Sequence, residues 1–275
     1  MIQDIRSHIF AQIQDREFTA VLRAEHPGCI SGIAQLASQA EEIGVSFRCM
    51  KEEGSELRKD DTIGILKAHP TQIALAEERL IGTLAKFSGV ATAARQAVAL
   101  SEGKVRIVSG SWKKMPPAIK DGIRTAIASG GASFRISSRP MVYLDKNYIR
   151  MFGSIARTLE AVRNFGDYVK VVQIKGEQGS IEVETREAVE NGAGILMVDT
   201  GRPLDLLRCT AAVNSLGCRK SVEIAFAGNV QMSEIPAYAD YDLDILCIGK
   251  EIVDAPLLDM KLDVQYEPCE ERLWA

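Results

Sequence analysis

Apolar positions in the second part of the chain fall into short continuous runs separated by helix-length patterns. From residue 104 onward, the helical patterns lie at 118–128, 152–165, 182–191, 204–216 and 233–239. They alternate with six apolar runs, which lie at 105–108, 141–144, 169–174, 195–198, 222–226 and 245–248. Strands that are apolar at every position are typical of a parallel sheet buried on both faces. The pattern therefore predicts an α/β fold in which these strands form a closed or nearly closed α/β barrel.

The first part of the chain mixes strand-like alternation with helical spacing. Strands are predicted at 18–24, 45–50 and 62–68, and helices at 33–44 and 77–95. The second helix contains the small residues Gly89, Ala91 and Ala93, which would let another backbone approach closely. These elements predict an N-terminal α+β domain over 1–103 and a barrel domain over 104–264. A return of the tail at 265–275 to the first domain is left open.

Composition and charge narrow the function classes. Of the 275 residues, 46% are hydrophobic and 25% are charged, and the formal net charge of -4 without a long basic run disfavours nucleic-acid binding. No apolar stretch approaches the roughly 20 residues that span a bilayer, and the N-terminus lacks the apolar core of a signal peptide. Six cysteines without a CxxC pair indicate reduced thiols in a cytoplasmic protein.

Polar and glycine residues follow the ends of the predicted strands. Because the carboxyl ends of parallel strands meet at one edge of a barrel, we expect these residues around one rim. Several cations and two glycine turns suit a phosphorylated ligand, since Lys and Arg neutralise phosphates and backbone N–H groups donate to their oxygens. The alternative is that they only solvate loops. The residues are Lys113, Lys114, Arg135, Asp145, Lys146, Lys175, Asp199, Gly228, Asn229, Gly249 and Lys250.

A series of short motifs over 18–264 resembles one enzyme family. In the N-terminal part they are HPGCISGIAQLA, EGSELRKDDTIGILKA and EERLIGTLAKFSGVATAAR. In the C-terminal part they are SWKKMPPAIK, GGASFRIS, LDKNY, VKVVQIK, ILMVDTG, IAFAGNV and CIGKEIVDAPLLDMKLDV. Together they resemble the type II phosphoribosyltransferases, and most closely the quinolinate phosphoribosyltransferase family (nicotinate-nucleotide pyrophosphorylase, decarboxylating).

The resemblance implies an incomplete α/β barrel with an N-terminal α+β sandwich domain. It implies an enzyme of pyridine nucleotide and NAD biosynthesis that transfers phosphoribose from phosphoribosyl pyrophosphate (PRPP) to a pyridine carboxylate and releases pyrophosphate. It also implies Mg²⁺ bound with PRPP, and a homodimer or dimer-based oligomer. In that dimer Arg79 would reach the neighbouring subunit's site and bind a substrate carboxylate. Neither a nucleic acid nor a membrane is an expected partner.

The resemblance also assigns roles to single residues. Lys113 and Lys114 stand where the family has an Arg-Lys pair for the dicarboxylate and the phosphates, and Asp199 stands at an acidic position that holds magnesium. The expected catalytic residues are Lys114, Lys175 and Asp199, and Asp199 is also the expected metal ligand. The expected substrate-binding residues are Arg79, Lys113, Lys114, Arg135, Lys146, Gly228, Asn229, Gly249 and Lys250.

Several positions depart from the family's pattern and leave the activity open. Phe134 and Val253 replace histidines, Asp145 replaces a lysine, and Gln173 or Lys175 occupies the place of a magnesium-binding glutamate. One alternative is therefore a non-catalytic or repurposed paralogue that binds a nucleotide or an anionic metabolite. Another is different barrel chemistry with Lys175 as an amine nucleophile.

Single residues also have plainer explanations. The alternative for Asp199 is a cap of the following helix, and the alternative for Arg79 is an ion pair with an adjacent glutamate. Lys175 could be fully solvated. Trp112 and Phe134 would serve either internal packing or stacking against an aromatic substrate.

Overall fold

The chain folds into two compact units. A computed structural model describes residues 5–265. Of these residues, the first unit contains 5–92, 121–130 and 255–265, and the second contains 93–120 and 131–254. The domain boundary expected at 103/104 leaves the two later segments out of the first unit. They join that unit through contacts between distant parts of the chain. Of the tail at 265–275, all but residue 265 lies outside the described residues.

Helices and strands are numbered in chain order. The first are α1 (Arg6–Ile9), β1 (Phe18–Ala24), β2 (Gly28–Cys29), α2 (Ile33–Glu42), β3 (Ser46–Cys49), β4 (Glu56–Leu57), β5 (Thr62–Ala68) and α3 (Pro70–Leu100). Then follow β6 (Arg106–Val108), α4 (Lys120–Ser129), β7 (Met141–Leu144), α5 (Lys146–Phe152), α6 (Ile155–Ala161), β8 (Val169–Ile174) and α7 (Ile181–Glu190). The last are β9 (Ile195–Asp199), α8 (Pro203–Ser215), β10 (Glu223–Ala227), α9 (Ile235–Tyr238), β11 (Ile245–Cys247), α10 (Lys250–Val253) and β12 (Met260–Val264). Over residues 5–265, none of the helices has the length and apolar character that a membrane crossing requires.

A four-stranded antiparallel sheet, in the order β12-β1-β5-β3, carries the core of the first unit. In β1, Ala20 pairs with Leu66 of β5 and, on the other side, with Val264 of β12. The core contains Leu22, Leu66 and Leu84, each at most 2% exposed. The three strands and two helices that the sequence predicts for this part of the chain are present, so the α+β character of the N-terminal region is confirmed.

Strand β12 is the main difference from the sequence prediction in the first unit. The prediction assigns 260–264 to the barrel domain, whereas the strand pairs with β1 along its whole length. Met260 is 7% exposed within the core of this unit, and Leu262 packs against that core. Apolar residues at alternate positions are typical of a strand with one buried face, but they do not identify the partner sheet.

The second unit is built on a six-stranded parallel sheet in the order β6-β11-β10-β9-β8-β7. All six strands lie where the sequence predicts them. The backbone of Val108 at the end of β6 also makes a parallel bridge to Ser133, which extends the sheet beyond this edge. An α/β sheet of this kind is an incomplete α/β barrel, so the predicted fold class is confirmed.

The bounds of the helix predicted at 152–165 are wrong. Helix α5 extends from before this range to its first residue, and the separate helix α6 lies inside it. Helix α5 ends at Gly153, whose φ of 87° is a left-handed conformation that ends helices. Ser154 then caps α6 by accepting a hydrogen bond from Arg157 N. The Gly-Ser pair is therefore a stop signal followed directly by a start signal.

On one face of the parallel sheet, side chains at alternate positions are buried, and this row of side chains extends to the carboxyl ends of the strands. One cluster on this face contains Val171 of β8, Met197 of β9 and Ala225 of β10, each at most 5% exposed. Because side chains alternate along a strand, the residues two positions further on point to the same side. In β8 and β9 these residues are Gln173 and Asp199, and both therefore lie at the mouth of the incomplete barrel.

Candidate functional site

The segment after β6 carries two lysines and is anchored to a neighbouring loop. Its first 3₁₀ turn, Ser111–Lys114, ends with Lys113 and Lys114. Trp112 Nε1 donates a hydrogen bond to the carbonyl oxygen of Phe134 at 2.8 Å, and the two rings pack edge to face. Because Arg135 directly follows Phe134, this contact brings the segments of Arg135 and the two lysines together.

Phe134 acts here as a packing residue. Its ring contacts Trp112, and the Arg135 guanidinium lies 5.8 Å from its centroid. The loop itself is fixed to β6, since Ser109 N donates to the carbonyl oxygen of Ser133 at 2.8 Å. The position that holds histidine in the resembled family thus supplies apolar contact and a backbone acceptor in this chain, without acid–base chemistry.

The turn after β11 lies against the same 3₁₀ turn. A Cβ atom added to Gly249 would stand 2.4 Å from Ser111 Oγ, so the backbone of this turn lies directly against the Ser111 side chain. Lys250 begins α10 directly after this contact and is exposed. Val253, at the other end of α10, is 2% exposed and contributes to the core. The contact places Lys250 beside the segment of Lys113 and Lys114.

The turns after β9 and β10 touch backbone to backbone. Gly201 N donates a hydrogen bond to the carbonyl oxygen of Ala227 at 2.9 Å. A Cβ atom on Gly228 would stand 2.1 Å from Gly201 N, and Gly228 has a φ of 120°, which side chains disfavour. Asn229 follows with a left-handed φ of 62°. Glycine is therefore required at position 228 for the two turns to meet at the rim.

A polar network joins β8, β9 and the start of α5. Gln173 Nε2 donates to Asp199 Oδ2 at 2.6 Å, while Gln173 Oε1 accepts from Lys146 N at 2.8 Å. Lys175 Nζ donates to the carbonyl oxygen of Asp199 at 2.5 Å and lies 3.7 Å from Asp199 Oδ2. Asp199 and Lys175 thus form a contact pair. Helix α8 instead has Arg202 as its N-cap residue without a side-chain cap, so a capping role for Asp199 is not observed.

Glu184 shapes the loop that holds Lys175. This carboxylate is 2% exposed and accepts hydrogen bonds from the backbone N–H groups of Lys175, Gly176 and Gln178, at 2.8, 2.8 and 2.7 Å. Three backbone donors around one buried carboxylate leave the loop little freedom. Lys175 is therefore held toward Asp199, and the sequence alternative of a fully solvated Lys175 is wrong.

Tyr143 connects the two halves of the rim. Lys113 Nζ lies 5.1 Å from the centroid of its ring, a distance at which a cation–π attraction operates. Burial raises the pKa of Tyr143 far above its usual range, and electrostatic interactions with Cys247, Asp199 and Asp145 raise this pKa further. Side chains from the ends of β6, β7, β9 and β11 therefore lie near one another, around a tyrosine that stays neutral.

The same surroundings predict that the thiol of Cys247 reacts slowly with alkylating reagents. Burial raises the pKa of Cys247 to about 12, and the Asp199 carboxylate adds to the effect. Since the thiolate is the reactive form, we expect iodoacetamide to alkylate Cys247 at least about tenfold more slowly than Cys218 near about pH 8. Mass spectrometry of alkylated peptides would measure both rates. The Cys247 rate should rise steadily with pH, and equal rates at the two cysteines would contradict this environment.

Five cations of the rim form no ion pair within residues 5–265. They are all exposed, and they are Lys113, Lys114, Arg135, Lys146 and Lys250. Other cations of this unit are paired, for example Arg219, which contacts Asp242 at 2.8 Å. Unpaired exposed cations keep their charge available to an anion.

Arg79 belongs to the first unit and is exposed on α3. The adjacent Glu78 contacts Arg6, and Arg79 has no ion-pair partner within residues 5–265. The sequence alternative of an ion pair with an adjacent glutamate is therefore not observed. Its expected role in a neighbouring subunit's site stays a prediction.

Carboxylates that could hold a metal ion are few. No group of three or more His, Cys, Asp or Glu side chains within residues 5–265 is arranged to bind a metal ion. Asp145 Oδ1 accepts from Asn147 N at 2.7 Å and from Tyr148 N, and so caps α5. Asp199 already accepts from Gln173 and faces Lys175. These donors do not fit a Mg²⁺ ion held by the protein, which needs free oxygen ligands.

Two residues of the site were not found from the sequence. Tyr143 alternates with Met141 along β7, so its inward direction could have been inferred from the period of two. Glu184 is one of several glutamates on α7, and no local signal separates the buried one from the others. Burial of this kind depends on the loop that folds over the helix start.

Comparison with known proteins agrees with this geometry. The family described as "Quinolinate phosphoribosyl transferase, C-terminal domain" matches residues 90–263, which is more than half of the chain. A probable nicotinate-nucleotide pyrophosphorylase (carboxylating) of Archaeoglobus fulgidus is 25% identical over 254 residues, covering 92% of this chain and 96% of that protein. The nicotinate-nucleotide pyrophosphorylase (carboxylating) of Rattus norvegicus is 26% identical over 251 residues, covering 90% and 82%.

The fold also matches a solved structure. The nicotinate-nucleotide pyrophosphorylase from Francisella tularensis superposes with a TM-score of 0.80 at 21% identity, covering 96% of this chain and 91% of that one. At this identity the match concerns the fold alone. The resemblance inferred from the motifs is confirmed by the sequence comparisons, and the architecture is confirmed by the structural one.

Proposed function

This chain belongs to the quinolinate phosphoribosyltransferase family, and on that premise we propose that it is a phosphoribosyltransferase acting on PRPP and an aromatic acid. In the proposed reaction, the nitrogen of a pyridine carboxylate attacks C1 of the ribose. The bond from C1 to the pyrophosphate oxygen breaks, and pyrophosphate leaves. With quinolinate as the acceptor, the bond between C2 and its carboxylate then breaks, carbon dioxide leaves, and C2 takes up a proton from water.

One observation supports this proposal most directly: exposed cations at the carboxyl edge of the parallel sheet form no ion pair with any residue between 5 and 265. Negative charge accumulates on pyrophosphate as it leaves, so fixed positive charges at that position lower the barrier. Orienting the two reactants contributes as well, because it removes the entropy cost of bringing them together. A rim of cations on ordered turns can do both.

The proposed roles follow from position on the rim. Lys113, Lys114 and Arg135 lie on two segments joined by the Trp112–Phe134 contact, and they would bind the pyrophosphate and the acceptor carboxylate. The remaining residues would bind the ribose phosphate through side-chain cations and turn amides. They are Lys146, Gly228, Asn229, Gly249 and Lys250.

Lys114, Lys175 and Asp199 are the residues that we propose for catalysis. Lys114 would neutralise the leaving pyrophosphate, since it is exposed and the described part of the chain holds no ion-pair partner for it. Asp199 would hold the Lys175 ammonium at the mouth, where it adds positive charge next to the reacting centre. The Mg²⁺ expected with PRPP would bind to the oxygens of the substrate's phosphates, which usually supply ligands in sites that bind such substrates.

A dimer test addresses the proposed role of Arg79. If Arg79 serves a neighbouring subunit's site, R79A and K114M are each inactive, but mixed dimers contain one site with both residues intact. We expect a mixture, refolded or co-expressed, to recover up to about a quarter of wild-type activity. Activity assays on the mixture and on the separate variants would measure this. No recovery from a verified heterodimer would contradict a shared site.

A second candidate is a binding protein without transferase activity. It is favoured by the engagement of the carboxylates, because Asp145 caps a helix and Asp199 contacts Gln173 and Lys175. The third idea, Lys175 as an amine nucleophile, is disfavoured because its Nζ is directed at Asp199 and not at open space.

Pyrophosphate release by the purified protein tests the main proposal. PRPP, Mg²⁺ and quinolinate are supplied together and then with each omitted, and PRPP binding is measured in parallel by calorimetry. Turnover that requires both substrates supports the transferase. Saturable PRPP binding without turnover points to another acceptor or to the binding protein. Absence of PRPP binding would contradict both.

A further inference from the structure

We propose that the ammonium group of Lys175 takes the place of a divalent metal ion beside Asp199. The positive charge at this carboxylate would then be part of the chain itself. The proposal concerns the free protein, and it does not depend on which reaction the protein performs. It explains why a site with one acidic residue also contains a lysine and an amide on the next strand.

The contacts of Asp199 carry the first step. Its Oδ2 atom accepts from Gln173 Nε2 at 2.6 Å and lies 3.7 Å from Lys175 Nζ. A metal ion bound at this oxygen would meet the amide hydrogens of Gln173, which repel a cation. The side-chain oxygen of Gln173, Oε1, is occupied as well, because it accepts a hydrogen bond from Lys146 N at 2.8 Å. The amide is thus oriented, and its NH₂ group faces the carboxylate.

The position of Lys175 carries the second step. Its Nζ donates to the carbonyl oxygen of Asp199 at 2.5 Å, so two oxygens of the same residue surround the ammonium. The backbone of Lys175 is fixed in turn by Glu184, which is buried and accepts from Lys175 N and Gly176 N. A lysine held at both its backbone and its tip is a built feature, and its side chain is only 27% exposed.

Electrostatics carry the third step. A divalent ion at Asp199 would lie within a few ångströms of the ammonium, where like charges repel appreciably even at high dielectric. Among the described residues, Asp199 is the carboxylate that pairs with Lys175 and would oppose this repulsion. Within the described residues, no further His, Cys, Asp or Glu completes a metal-binding group. The charge balance is therefore met by Lys175 and would be exceeded by an added metal ion.

Mn²⁺ alone, followed by electron paramagnetic resonance, tests this proposal. We expect the wild type and D199N to bind Mn²⁺ equally, because no Mn²⁺ site of the wild type depends on Asp199. The double variant Q173E/K175M supplies a second carboxylate and removes the ammonium. It should bind one Mn²⁺ at least about tenfold more tightly than the wild type, and adding D199N should abolish this binding.

The matched control is Q173E/K170M, which has the same net charge but keeps Lys175. Lys170 lies at the amino end of β8, on the same strand as Gln173. If Lys175 excludes the metal, this control binds Mn²⁺ more weakly than Q173E/K175M. Equal binding by two folded variants would overturn the proposal. A Mn²⁺ site in the wild type that D199N abolishes would also overturn the proposal. This second comparison does not require the double variants to fold.

Discussion

Replacing Lys113 and Lys114 together by methionine is expected to lower kcat/KM for PRPP by about a thousandfold. Methionine keeps most of the length of the lysine side chain and removes its charge. Both lysines are exposed at the end of the 3₁₀ turn, and Trp112 fixes that turn to the loop of Arg135. The loss would therefore arise from missing charge at the leaving pyrophosphate, while the turn itself stays in place.

The matched control for this double variant is K170M. Lys170 lies at the amino end of β8, beside a cavity of about 530 Å³ at the opposite edge of the sheet. Removing its charge changes the net charge of the protein without touching the rim, so kcat/KM should stay within about twofold of the wild type. A conservative K114R variant should retain most of the activity, because a cation remains at the position.

Pyrophosphate binding, measured by calorimetry, separates the charge effect from the identity of the acceptor. The double variant should bind pyrophosphate more weakly than K170M, and the difference should shrink as the salt concentration rises. Wild-type affinity in the double variant would show that these lysines do not face the phosphates. The transferase proposal would then lose the observation that carries it, even if the fold assignment remained.

The strands of the second unit could be predicted because the signal is local. Each of them is a short apolar run, and burial on both faces makes such runs continuous. The split between α5 and α6 was missed although Gly153 and Ser154 mark it, since the apolar spacing continues across both residues. Periodicity reports which face is buried, and it does not report where a helix ends.

The candidate site could be predicted only in part. Parallel topology places Lys146, Lys175 and Asp199 at one rim, because the carboxyl ends of parallel strands share an edge. The partners within that rim depend on side-chain geometry between different strands. The Gln173–Asp199 hydrogen bond joins residues 26 positions apart, and no local pattern predicts it. The prediction of Asp199 as a metal ligand depends directly on such partners, because the contacts of Asp199 become known only when the strands are paired.

The non-local pairing of β12 illustrates the same limit for the fold. The strand lies after the last barrel helix in the sequence, and it completes the antiparallel sheet next to β1. Its alternation shows one buried face but leaves the sheet undetermined. The segment that leads into it, around Pro256, also provides the backbone that approaches the small residues of α3.

Replacing Gly89 by alanine is expected to lower the free energy of unfolding by about 3 kcal/mol. A Cβ atom at this position would stand 2.0 Å from the carbonyl oxygen of Pro256, far inside van der Waals contact. The opposing segment cannot easily move away, because Leu258 N donates to the carbonyl oxygen of Ala85 at 3.0 Å and Lys86 Nζ donates to Ala255 O at 3.1 Å. The close approach anticipated from the small residues is therefore made by the chain's own backbone.

Gly82 on the same helix is the matched control, since a Cβ atom there meets nothing within 4 Å. An exposed helical glycine costs conformational entropy, so G82A should raise the free energy of unfolding by about 1 kcal/mol. Urea unfolding followed by circular dichroism would compare the two variants with the wild type. The same substitution on one helix should thus act with opposite signs. If G89A proved as stable as the wild type, α3 and the segment around Pro256 would not be in backbone contact.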